Sequence, residues 1–355
     1  MNLDGRQRMI AIVAILAAAL MISSYVFIFS SDAEGYEGAT DALGNTLTFD
    51  TMPETIISTA PSITETLYAM GLGDNIVAVS DNCDYPAEVN KRVADGDLKR
   101  IGSYHQPNKE MVVELNADVI FVTHTSGGQN FYGDMKAYGQ PVVILHQAST
   151  LNYVYSNFNI IGTTMQNQDI AQDLIDLMKT SAEEVQNKSS QGVNPRVMLN
   201  LGFDWGYNAP YVFGKATFGN EIITLANASN VAPGDGFFMM TKEYLAMTSW
   251  DGSTPYNPDV IIALVQGGVQ PNQTYYDNHM DELRNDPIWG ATNAVLNDNV
   301  YFWYDRPASA LQREGPSLIE ASKLVLMYTQ PELFEGFVPP LWVGDNYSDL
   351  IEEHW

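Results

Sequence analysis

The sequence predicts an α/β fold of two lobes. Each lobe has a central, mostly parallel β-sheet flanked by helices. One long backbone helix joins the lobes, and an N-terminal transmembrane anchor helix precedes them. Three observations predict this. Short apolar, β-branched runs alternate with helical patterns from Thr55 to His146. From Gln166 to Lys188 a stretch without Gly or Pro repeats apolar residues at helical spacing. The alternation then restarts at Arg196.

The elements follow in order. Arg6 and Arg8 precede Met9–Ser30, a run with no charge, and Asp32 and Glu34 follow it. A signal-peptide core is usually ~7–15 apolar residues, whereas this run fits the ~20 needed to cross a bilayer. Residues 1–31 are expected to be an uncleaved anchor with the bulk of the chain outside, a cleaved signal being the alternative. Residues 32–54 form a polar lead-in.

The first lobe is expected over residues 55–164. Its strands are 55–59, 75–80, 118–123 and 141–146. Its helices include 62–73, with Ser62 as N-cap, Glu65 completing a capping box and Gly71 at the stop. Asn108–Leu115 and Phe131–Tyr138 are further helices. The linking helix is placed at 165–190. Within it Ile170, Leu174, Leu177 and Val185 form one apolar stripe, and Ala171, Ile175, Met178 and Ala182 another. The second lobe, 191–355, reads as strand 196–202, helix 218–228, helix 242–247, strands 259–265 and 299–303, and a helix after Pro316. The Pro- and aromatic-rich tail from Pro331 is expected to pack on this lobe.

The chain has 355 residues, with 17 basic against 43 acidic side chains and a formal charge of −26. Nothing here would neutralise a phosphate backbone, so nucleic acid is excluded as a partner. The single cysteine, Cys83, rules out an internal disulfide. No nucleophile elbow, zinc-protease helix or dinucleotide fingerprint is present, which favours binding over turnover. Sequons start at Asn187, Asn227, Asn272 and Asn346 and suit an external protein. The Gly pair of HTSGGQ (124–129) lacks the longer pattern of a phosphate cradle and reads as a strand-to-helix turn.

Three stretches carry a family resemblance: IISTAPSITETLYAMGLGDNIVAVSDNCDYP (56–86), FGKATFGNEIITLANASNVA (213–232), and DPIWGATNAVLNDNVYFW (286–303) with GPSLIEASKLVLMYTQPELF (315–334). The sequence resembles the helical-backbone substrate-binding proteins of ABC importers, which carry cobalamin, ferric siderophores and haem. Ala60-Pro61 stands where that family has Ser-Pro, Ala78 where Gly is common, and Asn227-Ala228 where Gly-Gly is usual. The resemblance implies an extracellular protein that captures a metal chelate between its lobes, with no permanently bound cofactor. It would deliver the chelate to a permease dimer with its ATPase subunits. It also implies that Glu110 and Glu243 dock on the permease. Each stands second in a Lys-Glu pair before an Asp-Val-Ile strand. Read alone, both are ordinary first-turn helix acids.

Aromatic residues near strand ends are the candidate ligand contacts: Tyr85 and Tyr104 in the first lobe, and Trp205, Tyr207, Phe238, Trp303 and Tyr304 in the second. Phe237 belongs with the second-lobe set, and Phe131 is a further candidate in the first. Tyr104 sits where the family often places an aromatic. Arg306 and Arg313, rare positive charges after the strand that ends in Trp303, would pair with ligand carboxylates or phosphate. His105 and His124 complete the ligand set. With His146 they form the alternative, a bare Zn- or Mn-type metal site of an ABC importer. For each of these residues, ordinary packing or salt bridging is the competing reading.

Overall fold

A computed structural model describes residues 35–147, 149–203, 206–249 and 252–355. The anchor expected over 1–31 lies outside these residues, and no described helix is long and apolar enough to cross a membrane. The chain divides into two compact units. One runs to Gln147 and includes Asn152–Leu177; the other contains Met178–Trp355 with the short stretch before Asn152. The division falls inside the long helix rather than at its ends.

The first unit opens with a hairpin, β1 (Tyr36–Thr40) and β2 (Thr46–Phe49). These residues were expected to be a lead-in outside the lobe, but they are pinned to it. Ala42 N–H donates to the Ile144 carbonyl (2.9 Å) and Tyr132 Oη donates to Asp41 Oδ2 (3.0 Å). Asp41 is buried, and it also accepts from the N–H groups of Leu43 and Asn45. The sheet of this unit contains β3 (Ile56–Ser58), β4 (Ile76–Val79), β5 (Lys99–Arg100), β8 (Val119–Thr123) and β9 (Val142–Leu145), in the order β5-β4-β3-β8-β9, all parallel. Every residue of β8 and β9 is buried, which explains their unbroken apolar runs. One face packs Ile57, Ala78, Ile120, Val122 and Ile144 against Phe131, Tyr132 and Met135 of the helix Ser126–Ala137. A small hairpin, β6 (Gly102–Ser103) and β7 (Gln106–Pro107), follows β5.

The first helix, Pro61–Ala69, corrects the expected capping box. It starts at Pro61 with Ala60 as an uncapped N-cap, and Glu65 is buried. Pro61 at the first position has no N–H to satisfy, which leaves one orphan donor fewer at this helix start. The long helix spans Gln168–Ser189. Its buried stripe is Ala171, Ile175, Met178, Ala182 and Val185, while Ile170 and Leu177 are exposed.

The second unit holds β10 (Arg196–Asn200), β11 (Tyr211–Phe213), β12 (Ser229–Asn230), β13 (Phe237–Met239), β14 (Val260–Leu264), β15 (Val300–Trp303) and β16 (Trp342–Val343). The order is β13-β11-β10-β14-β15-β16, with β12 on β10. The β10-β14-β15-β16 part is parallel, and β11 and β13 add an antiparallel edge. The helix Phe218–Leu225 ends before Asn227, which takes φ +50°. Asn tolerates that left-handed conformation better than other non-Gly residues, so it can replace the family's glycine. Its amide donates to the carbonyls of Ser189 and Val193, so this sequon's nitrogen is engaged within the fold. The expected helix at 242–247 is a 3-10 turn, Lys242–Ala246. In the tail, Lys188 and Lys323 lie over the Trp355 ring.

The same carboxylate clamp recurs in both units. Asp118, one residue before β8, accepts from Glu54 N–H (3.0 Å), Thr55 N–H (2.9 Å) and Thr55 Oγ1 (2.8 Å), just ahead of β3. Asp259, one residue before β14, accepts from Arg196 N–H (2.9 Å), Nε (3.1 Å) and Nη2 (2.8 Å), and from Asn293 Nδ2 (2.7 Å). Burial alone would raise both carboxyl pKa values. The Thr55 contacts at Asp118, and Arg196 with Asn293 at Asp259, outweigh it and hold both below the ordinary value. Both groups therefore release their proton more easily in the folded chain than in the unfolded one. Their stabilisation is complete above about pH 4 and is lost as pH falls through the folded values below that. At neutral pH, Asp259→Ala should cost about 2–3 kcal/mol and Asp118→Ala about 1 kcal/mol in urea denaturation. Both differences should shrink as pH falls below the ordinary carboxylate range of about 4 and the native carboxylates protonate too.

Candidate functional site

In the first unit the candidate residues gather around the C-terminal ends of β4, β8 and β9. His124 follows β8; its backbone N–H donates to the Leu145 carbonyl, and Gln129 Nε2 lies 2.7 Å from its Nε2. His146 follows β9, with its N–H and carbonyl both bonded to the Asn157 side chain and its ring 5.0 Å from Tyr153. Burial holds His146 below the usual imidazole value, and the neighbouring His124 adds to this against the opposing charge of Asp41. His146 is therefore a neutral ring at neutral pH. Tyr104 and His105 form the tip of the β6–β7 hairpin, with ring centroids 3.8 Å apart. Tyr85, in the loop after β4, is exposed. Phe131 is core, 2% exposed.

The Gly pair of HTSGGQ shapes this corner. A Cβ on Gly127 would lie 2.8 Å from the His105 carbonyl, and one on Gly128 would lie 1.9 Å from the Thr123 carbonyl. The hairpin tip thus rests on the first turn of the helix Ser126–Ala137, capped by Thr125. The pair serves close backbone approach, as a strand-to-helix turn requires. Among the described residues, no group of three or more His, Cys, Asp or Glu is placed to hold a metal ion. His105, His124 and His146 are not part of such a group.

In the second unit Phe203, just after β10, centres an aromatic cluster. It stacks on Tyr207 at 5.2 Å and meets Trp289 and Phe302 edge-on at 5.7 and 6.4 Å. His279, on the helix Gln273–Asn285, hydrogen-bonds Tyr207 Oη through Nδ1 and lies 4.3 Å from the Tyr275 ring. The Tyr207 carbonyl accepts from Trp289 Nε1 (2.8 Å). Phe203, Tyr275 and His279 were missed from sequence. Their signal was Tyr275 and His279 at i, i+4 in TYYDNH, on a helix too polar to stand out.

Other candidates divide. Phe238 is half-buried against Tyr244. The Tyr304 ring lies on Gly344, where a Cβ would come within 2.2 Å of it. Trp303 is fully buried and packs edge-on against Tyr328 at 5.3 Å, so it lines no open surface. β-Strand alternation sends it to the face opposite Phe302. Arg306 hydrogen-bonds Tyr347, whose hydroxyl donates to Glu320, and its backbone N–H donates to Asp345. Trp205 lies outside the described residues.

The two Lys-Glu pairs match. Glu110 is exposed in the first turn of the helix Lys109–Leu115, capped by Asn108, and Lys109 pairs with Asp134. Glu243 is exposed in the 3-10 turn, and Lys242 pairs with Asp286.

The sequence matches the periplasmic binding protein family over residues 56–307. The chain belongs to that family. It is 29% identical over 301 residues to an uncharacterised ABC transporter substrate-binding lipoprotein of Bacillus subtilis, covering 83% of this chain and 86% of that one. It is 25% identical over 283 residues to the vitamin B12-binding protein of Vibrio cholerae, covering 78% and 88%. Two solved structures share the fold. One is the periplasmic haem-binding protein of Roseiflexus in apo form, with TM-score 0.64, 20% identity, and 79% and 99% of the two chains covered. The other is the periplasmic vitamin B12 binding protein of Vibrio cholerae, with TM-score 0.58, 22% identity, and 78% and 96% covered.

The glycine geometry of this family member is directly testable. Gly128→Ala should cost about 2–4 kcal/mol, since a rigid carbonyl blocks the new methyl. Gly133→Ala, on the same helix with nothing within 4 Å of its Cβ position, should stabilise by about 0.5–1 kcal/mol. Urea denaturation of the two variants reads both.

Proposed function

We propose that this protein is the extracellular substrate-binding component of an ABC importer for a metal chelate: a corrinoid, haem or a ferric siderophore. The observation that carries the reading is family membership over residues 56–307, joined to relatives named as an ABC transporter substrate-binding lipoprotein and a vitamin B12-binding protein. The side chains at the strand ends suit such a ligand. Large, flat, partly apolar molecules are held by rigid aromatics with a few polar groups. We assign this role to Tyr85, Tyr104, His105 and His124 in the first unit, and to Tyr207, Phe238, Tyr304 and Arg306 in the second. The partners are a permease dimer with its ATPase subunits, and Glu110 and Glu243 are the docking carboxylates. The apolar run Met9–Ser30 anchors the chain to the cytoplasmic membrane with the two units outside.

The ligand is tested by titrating residues 33 onward with cyanocobalamin, haemin, ferric siderophores and zinc, read by absorbance and thermal shift. One chelate class should perturb the absorbance and raise the Tm, by about 2.7 kcal/mol of added stability at a hundred-fold excess over Kd. A response to zinc alone would overturn the reading. Docking is tested separately. The double variant Glu110→Lys, Glu243→Lys should lose chelate uptake in cells while its ligand affinity stays that of the native chain. Unimpaired uptake would remove both glutamates from the docking role.

A further inference from the structure

We infer that Asp134 and Asp286 are positioning residues for docking: each takes up the lysine that precedes a docking glutamate, so that the glutamate meets its partner without a competing cation. The inference rests on the docking role proposed for Glu110 and Glu243.

In the first unit Lys109 Nζ pairs with Asp134 Oδ2, which lies on the next helix, Ser126–Ala137. The two side chains are 45% and 43% exposed, so the pair sits at the surface beside Glu110. In the second unit Lys242 Nζ pairs with Asp286 Oδ2, and these side chains are only 22% and 18% exposed. Asp286 stands at the end of the helix Gln273–Asn285 and is itself fixed. Its Oδ1 accepts from Ile288 N–H (2.9 Å) and Trp289 N–H (3.1 Å). The two aspartates come from unlike positions: one within a helix, the other just past the end of one. Yet each meets the lysine of a Lys-Glu pair. Two unrelated routes to one pairing point to a shared requirement on the glutamate.

The charge arithmetic states that requirement. Lysine and glutamate side by side sum to zero at the range where a cationic group of the permease approaches. Adding the aspartate leaves the group at −1. A neighbouring ammonium free to swing would also compete with the incoming cation for the carboxylate. Pairing confines it to the aspartate. Such rim charges act chiefly on association rate and on salt dependence. Glu243 is kept ionised by other means: its own backbone N–H and the Thr241 hydroxyl hold its carboxyl below the ordinary value.

The test uses the full chain and the permease–ATPase complex of its native cells in nanodiscs, with affinity measured at low and high salt. Asp134→Asn with Asp286→Asn should weaken docking about three- to ten-fold at low salt, mostly through the association rate, and the difference should fade at high salt. Adding Lys109→Met and Lys242→Met to that variant should restore native affinity, because no loose cation remains. An unchanged affinity in the asparagine variant, or a loss that the methionines do not rescue, overturns the inference. In either case, a double variant Glu110→Lys, Glu243→Lys that fails to dock leaves the docking role intact. If that variant docks as the native chain does, the role of the two glutamates fails as well, and the inference with it.

Discussion

The interaction common to both sheets is one carboxylate placed one residue before a buried parallel strand. Asp118 ties the start of β8 to the chain entering β3, and Asp259 ties the start of β14 to the first residue of β10. A parallel strand buried on both faces has little side-chain contrast to fix its register. Here the register is set at the strand entrance instead. Thr55 supplies both a donor and an acceptor to Asp118, and Arg196 offers Asp259 a backbone N–H together with its guanidinium fork. The repeated Asp-Val-Ile of the sequence is thus the same structural device used twice.

With the entrances fixed, the exits are fixed too. In the first unit β8 and β9 deliver His124 and His146 side by side, and the Gly127-Gly128 turn lets the Tyr104–His105 tip lie against the next helix. In the second unit β10 delivers Phe203 into a ring cluster that the helix Gln273–Asn285 completes with Tyr275 and His279. Aromatic and imidazole groups therefore concentrate where loops leave the strands, as ligand sites in α/β sheets do. The chain places no three metal-binding side chains together among its described residues.

Much of this was legible in the sequence for a physical reason. Buried parallel strands are continuous apolar runs, and the helix Gln168–Ser189 is long and free of breakers, so both stood out. The Lys-Glu repeats were visible, but not their aspartate partners, because Asp134 and Asp286 reach the lysines only through tertiary folding. The hairpin Tyr36–Phe49 was missed because its strands are short, polar and largely exposed, and Asp41 and Ala42 dock it onto the sheet through hydrogen bonds. The helix Gln273–Asn285 was missed because it buries only Tyr276, Met280 and Leu283, and the half-buried His279 went with it. Trp303 was misplaced because a strand-end position was read as an exit. In the structure it is still inside the strand, turned to the core opposite Phe302.

The most direct test of the central claim is native mass spectrometry of the protein, from about residue 33, after incubation with an equimolar mixture of cyanocobalamin, haemin, a ferric siderophore and zinc chloride. The proposed function predicts one dominant complex, shifted by the whole mass of a single chelate class with its metal inside. A complex carrying only a zinc ion, or no complex with any chelate, would contradict it.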